Sequence, residues 1–194
     1  MLEISVRLAN PPESLLAKYT RKEREFFFDY SGFVLRLLDS PQVKQCLDDL
    51  IAVERIKPNR PIDVRIMIFP ARPITGRARN TLHGSYNQDS AQISLYPLKL
   101  PRDWIRQKGI ELFRTPSEDL SEDEEKLLGE ISQSAISTLI HEVLHVKLEG
   151  RNLSRYTEET IVRKLERKYA DNWMEKLQRA AGFPGPSGQF RAGP

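Results

Sequence analysis

Cysteine and histidine are both scarce in this chain of 194 residues. Cys46 stands alone, and the only histidines are His83, His141 and His145. A single cysteine excludes an intrachain disulfide framework and a thiolate zinc site, and it fits a reducing compartment. Long apolar runs are missing too. The longest, such as Ile66-Met67-Ile68-Phe69, fall far short of the roughly 20 residues that span a bilayer. The opening residues carry Glu3 and Arg7 where a signal peptide needs a basic head and a long apolar stretch. The expectation is a cytoplasmic protein with no membrane partner. Charge of one sign is also lacking: 30 Lys and Arg meet 27 Asp and Glu, for a net +3. Nearly balanced charge with no basic block gives no expectation of direct nucleic-acid binding.

What the chain has is an ordinary globular composition, 39% hydrophobic and 29% charged, at a length that favours one domain. Leu2, Ile4, Val6 and Leu8 alternate with other residues and predict a strand, ended by Asn10-Pro11-Pro12. Apolar residues at spacings of three and four predict two or three helices over 12–56, with interruptions near Ser31-Gly32 and Ser40-Pro41. A core strand is predicted from Asp63 to Phe69, bounded by Pro61 and Pro70. An antiparallel hairpin is predicted from Thr81–Tyr86 and Ala91–Tyr96, with its break at Asn87–Ser90. Residues 98–120 read as loop and short helix. Ser121 and Glu124 have the spacing of a capping box and open a long helix that Gly150 stops. Thr157 is the expected N-cap of one further helix. The reading is α+β: a single domain over 1–181, with a helical segment (12–56), a small mixed or antiparallel sheet (62–97) and two long helices (121–181). The Gly- and Pro-rich stretch 182–194 is expected to be a flexible tail.

Two of the three histidines lie four residues apart, in His141-Glu142-Val143-Leu144-His145. On a helix this H-E-x-x-H spacing puts both imidazoles on one face, one turn apart, where they can share an ion. Glu142 is turned about 100° round the helix, placed to reach a water beside the metal rather than to replace a histidine. Ile136, Leu139, Val143 and Val146 fall on the opposite side and are expected to bury the back of the helix. Ser134, Ser137 and Thr138 sit one turn back on the histidine side and suit a cleft wall. A catalytic zinc site needs three protein ligands and an open position. No histidine follows His145, but Glu158 and Glu159 open the next helix and complete a His2Glu set. Periodicity favours Glu158, which lies in line with Ile161, Val162, Leu165 and Tyr169. Glu159 stays open, because the preceding loop can aim a residue of the first turn.

These residues resemble the zincin metallopeptidases, and within them the gluzincins, which combine H-E-x-x-H with a Glu ligand on a later helix. The short gap to Glu158-Glu159 is nearer to compact members of that group. The resemblance implies a Zn2+ cofactor, peptide hydrolysis with Glu142 as general base, and a protein or peptide substrate. It also implies a sheet ahead of the motif helix whose antiparallel edge strand pairs with extended substrate. Residues 82–86 match that element, which makes His83, Gly84 and Ser85 candidate substrate-binding residues. An additional oxyanion donor is implied as well, for which His83, Tyr156 and Arg163 qualify by type. The alternative is a module that binds metal or a partner protein without turnover, with Phe26–Phe28 and the helices of 12–55 forming the partner surface.

Overall fold

A computed structural model describes residues 4–57, 60–71, 82–109 and 111–181. Four strands form one mixed sheet: β1 (Ile4–Leu8), β2 (Ile62–Ile66), β3 (Gly84–Asn87) and β4 (Gln92–Leu95), in the order β1-β2-β4-β3. The β1–β2 and β2–β4 pairs are parallel, whereas β3 runs antiparallel to β4 on the outer edge. The hairpin predicted from sequence is therefore present, with Gly84 opposite Leu95 and Tyr86 opposite Ile93. Its strands are shorter than expected, and Ala91 closes the turn at φ 49°. Thr81, and the predicted tail at 182–194, lie outside the described residues.

The sheet has two unlike faces. Ile62, Val64, Ile66, Ile93 and Leu95 are buried, while Arg7, Asp63 and Arg65 line the other face. There Arg7 pairs with Asp63 at 2.7 Å and Arg65 with Asp63 at 2.8 Å. Period-two alternation thus sends the β-branched residues to the helices and the charges to water.

The helices are α1 (Glu13–Leu16), α2 (Arg21–Leu38), α3 (Pro41–Glu54), α4 (Arg102–Trp104), α5 (Glu122–Leu148) and α6 (Arg155–Ala181). A π-helical turn, Ile105–Gly109, and a 3-10 turn, Ser117–Asp119, fill the stretch read as loop and short helix. The interruption expected at Ser31-Gly32 is absent, and α2 runs straight through it. Ser31 is fully buried, and its hydroxyl donates to the Met67 carbonyl at 3.2 Å, so tertiary packing uses the small residues inside the helix. The break falls instead at Thr20, whose hydroxyl accepts the Glu23 amide while Glu23 takes the Thr20 amide. Ser40-Pro41 divides α2 from α3 as expected, with Pro41 in the first turn.

Glu124 accepts the Ser121 amide at 2.9 Å at the start of α5. Gly150, at φ +75°, follows the end of that helix. α6 begins at Arg155, three residues before the start that a Thr157 cap implies, and Ser154 Oγ accepts the Thr157 amide at 3.2 Å. Phe26 centres an aromatic group with Phe27, Tyr30, Trp104 and Phe113 and joins α2 to the core. At the other end Glu54 of α3 receives Lys147 of α5 and Lys168 and Tyr169 of α6, so one carboxylate ties three helices. Among the described residues no helix is long and apolar enough to cross a membrane.

Candidate metal centre

Burial of one side of α5 aims the other. Ile136, Leu139, Ile140, Val143, Leu144 and Val146 are buried, which leaves His141 and His145 side by side on the face turned to α6. Their Nε2 atoms are 3.2 Å apart. α6 packs against α5 and inserts Glu159 between the two rings, with one oxygen 3.5 Å from His141 Nε2 and the other 3.6 Å from His145 Nε2. His141, His145 and Glu159 offer three donor atoms that all lie within 4.8 Å of one another. Donors about 2.0–2.1 Å from a tetrahedral zinc are separated by about 3.4 Å. The two Nε2 atoms, 3.2 Å apart, are close to that value, and each has a different oxygen of Glu159 at a similar distance. Two imidazoles and one carboxylate are donors of the number and chemistry that could hold zinc.

Glu158, favoured by periodicity, is not in this triad. Its Oε1 lies 2.7 Å from His145 Nδ1, on the side of the ring away from Glu159. The helix starts earlier than predicted, and its packing on α5 turns Glu159 to the paired Nε2 atoms. Glu166 was not singled out from sequence and takes the matching place on the other ring, with Oε2 2.9 Å from His141 Nδ1. Its sequence signal was available: Glu166 follows Glu159 by seven residues, two helical turns, and so shares its face.

Glu142 is buried at 6% exposure, next to His141 in sequence and under the edge strand. Burial pushes its carboxyl up to about 7, with Glu159 and Glu166 adding to the rise; His141 and the Tyr86 amide, which hydrogen-bonds it, oppose the shift. In His141 burial favours the neutral ring, but the bond to Glu166 and the surrounding carboxylates outweigh it and raise the pKa.

The edge strand meets this centre through two residues. A Cβ placed on Gly84 would fall 2.4 Å from Thr138 Cγ2 and 2.7 Å from Glu142 Oε1, so β3 lies directly against the motif helix. The Tyr96 amide donates to the His83 carbonyl at 2.8 Å, which makes His83–Tyr96 a bonded pair. By antiparallel alternation the amides and carbonyls of Gly84 and Tyr86 point outward from the sheet. Tyr86 also anchors the strand through its hydroxyl, which donates to Glu149 at 3.3 Å.

The other candidates are less closely involved. Ser85 opposes Ser94, and the alternation of the strand turns its side chain away from the face that Gly84 presents to α5. His83 faces a small cavity of about 10 Å³ lined by Tyr30, Val34, Ser134 and Thr138 among others, and its buried Nδ1 has no hydrogen-bond partner among the described residues. Burial lowers its pKa. Arg163 Nε lies 3.8 Å from Glu159, and Tyr156 is 83% exposed.

No family model, no curated protein and no solved structure matches this chain.

Proposed function

We propose that the protein is a zinc-dependent metallopeptidase of gluzincin-like architecture, with His141, His145 and Glu159 as the metal ligands and Glu142 as general base. The observation that carries this reading is the convergence of two Nε2 atoms and one carboxylate beside a buried Glu, beneath the outward edge of β3. A zinc ion held there supplies a Lewis acid that polarises a substrate carbonyl and acidifies water.

The chain supplies the rest. Glu142 takes a proton from the attacking water at a carboxylate oxygen and returns it to the amine as the peptide bond breaks. The outward amide and carbonyl of Gly84 are free of the β4 ladder and offer an extended peptide a strand to pair with, which gives affinity through backbone rather than side chains. On this reading the substrate is a protein or peptide, and a single cysteine is compatible with a reducing compartment such as the cytoplasm.

Metal analysis of the purified chain tests the centre, and cleavage of unfolded protein tests the chemistry. About one zinc per chain is expected, lost in His141→Ala, His145→Ala and Glu159→Ala, together with peptide hydrolysis that requires the metal. Stoichiometric zinc with no cleavage of diverse unfolded proteins favours the binding module instead. Zinc-free protein, with the histidine variants as stable as the parent, removes the metal reading altogether.

A further inference from the structure

α6 brings three carboxylates to two histidines of α5, and the three do different things. Glu159 addresses both Nε2 atoms, whereas Glu158 and Glu166 each address one Nδ1 atom, at 2.7 Å and 2.9 Å. The pairing runs backwards along α6 as it runs forwards along α5, His141 with Glu166 and His145 with Glu158, as two antiparallel helices require. Four residues on α5 rise about 6 Å and eight on α6 about 12 Å, so Glu158 and Glu166 lie at the two outer ends of the pair, while Glu159, adjacent to Glu158, reaches between the rings to both Nε2 atoms.

An imidazole whose Nδ1–H donates to a carboxylate is held in one tautomer, with the Nε2 lone pair presented and its ring orientation fixed. The bond also makes Nε2 a stronger donor to a metal. All four side chains are partly shielded: 19% and 12% exposed for His141 and His145, 25% and 31% for Glu166 and Glu158. Water therefore competes only weakly for these bonds. Resting on the zinc reading above, we infer that Glu166 and Glu158 are positioning residues, one for each ligand histidine, and that neither touches the metal. One helix then delivers a ligand and both orienting partners when it docks on α5.

The test uses the full chain and zinc itself. Zinc affinity is measured by competition with a chromophoric chelator, and nitrogen-15 NMR of the zinc-loaded protein reads which ring nitrogen carries the proton. Glu166→Leu and Glu158→Leu are each expected to weaken zinc about 10- to 100-fold. Each change should move the Nδ1–H signal of its own histidine, His141 or His145, and leave the other in place. Glu166→Gln keeps an acceptor of similar shape and guards against a failure of the Leu variant to fold. It should retain most of the affinity while the Nδ1–H resonance of His141 alone shifts toward that of a weaker hydrogen bond.

Unmoved His141 signals in Glu166→Gln, or zinc affinity within twofold of the parent in both Leu variants, overturn the positioning role. If Glu159→Ala still loses zinc in that case, the proposed metal centre stands without it. A parent chain that binds no zinc overturns both.

Discussion

Gly84 approaches Glu142 so closely that a methyl group on it would lie 2.7 Å from the carboxylate oxygen and 2.4 Å from Thr138 Cγ2. Both distances are below van der Waals contact, and neither neighbour yields easily. Thr138 is β-branched on a helix, and Glu142 is buried and held by the Tyr86 amide. Gly84→Ala should therefore lift the edge strand from α5, at a cost of about 1–3 kcal/mol in overpacking. Denaturant unfolding checks this, with the midpoint expected to fall. Peptide hydrolysis should fall with it, because the strand and the base are displaced together.

Glu142→Gln separates chemistry from structure. The amide has nearly the shape of the carboxyl and carries no charge to desolvate, so the fold and the zinc content should be retained. Peptidase turnover should drop by about 10²-fold or more, since the amide accepts no proton from water. Turnover equal to that of the parent, at equal zinc content, would rule out Glu142 as the base.

The fold class was legible because its signals are local. Alternation gave β1 and the buried strand after Pro61, and Ser121 with Glu124 gave the start of the motif helix. Ser31-Gly32 misled for the opposite reason: as turn chemistry it reads as a break, yet a buried hydroxyl bonded to Met67 holds it inside α2. At the centre, His141, Glu142 and His145 followed from spacing on one helix. Choosing between Glu158 and Glu159 required the rotation of α6 about its axis, which the packing of α6 on α5 sets and no single-helix pattern contains. For Glu166 the seven-residue spacing from Glu159 gives its face, but its partner ring, 25 residues away, is set only by the packing of the two helices.

The three consecutive phenylalanines offer a test of the partner-surface alternative. Phe26 and Phe27 are buried at 0% and 3% exposure, and Phe28 alone is open at 42%. Phe26→Ala should cost about 3–5 kcal/mol, as expected for an aromatic at the centre of a core. Phe28→Ala should cost less than about 1 kcal/mol. Thermal unfolding of the two variants distinguishes core from surface. A small loss at Phe26 would be incompatible with its place among Phe27, Tyr30, Trp104 and Phe113.

Glu54 predicts how the protein meets acid. Burial alone would raise its carboxyl, but hydrogen bonds from Lys147 and Tyr169, with Lys168 adding to them, carry it down to about 2 from the usual 4.5. Its side chain is 8% exposed, so solvent screens this group little. A folded pKa below the unfolded one means that the unfolded chain binds the proton first. The stabilisation is therefore complete above about pH 4.5 and is lost as the pH falls through 4.5 toward 2. Its size is about 3 kcal/mol as an upper figure, with the Lys168 share small because that side chain is 60% exposed. Glu54→Gln should lower stability at neutral pH by about 2–3 kcal/mol, since it leaves Lys147 without its charged partner. It should also flatten the acid limb between pH 4.5 and 2. Urea unfolding of parent and variant across pH 2–7 measures both, and a difference between them that stays constant through the acid range would assign the acid sensitivity to other carboxylates such as Asp63.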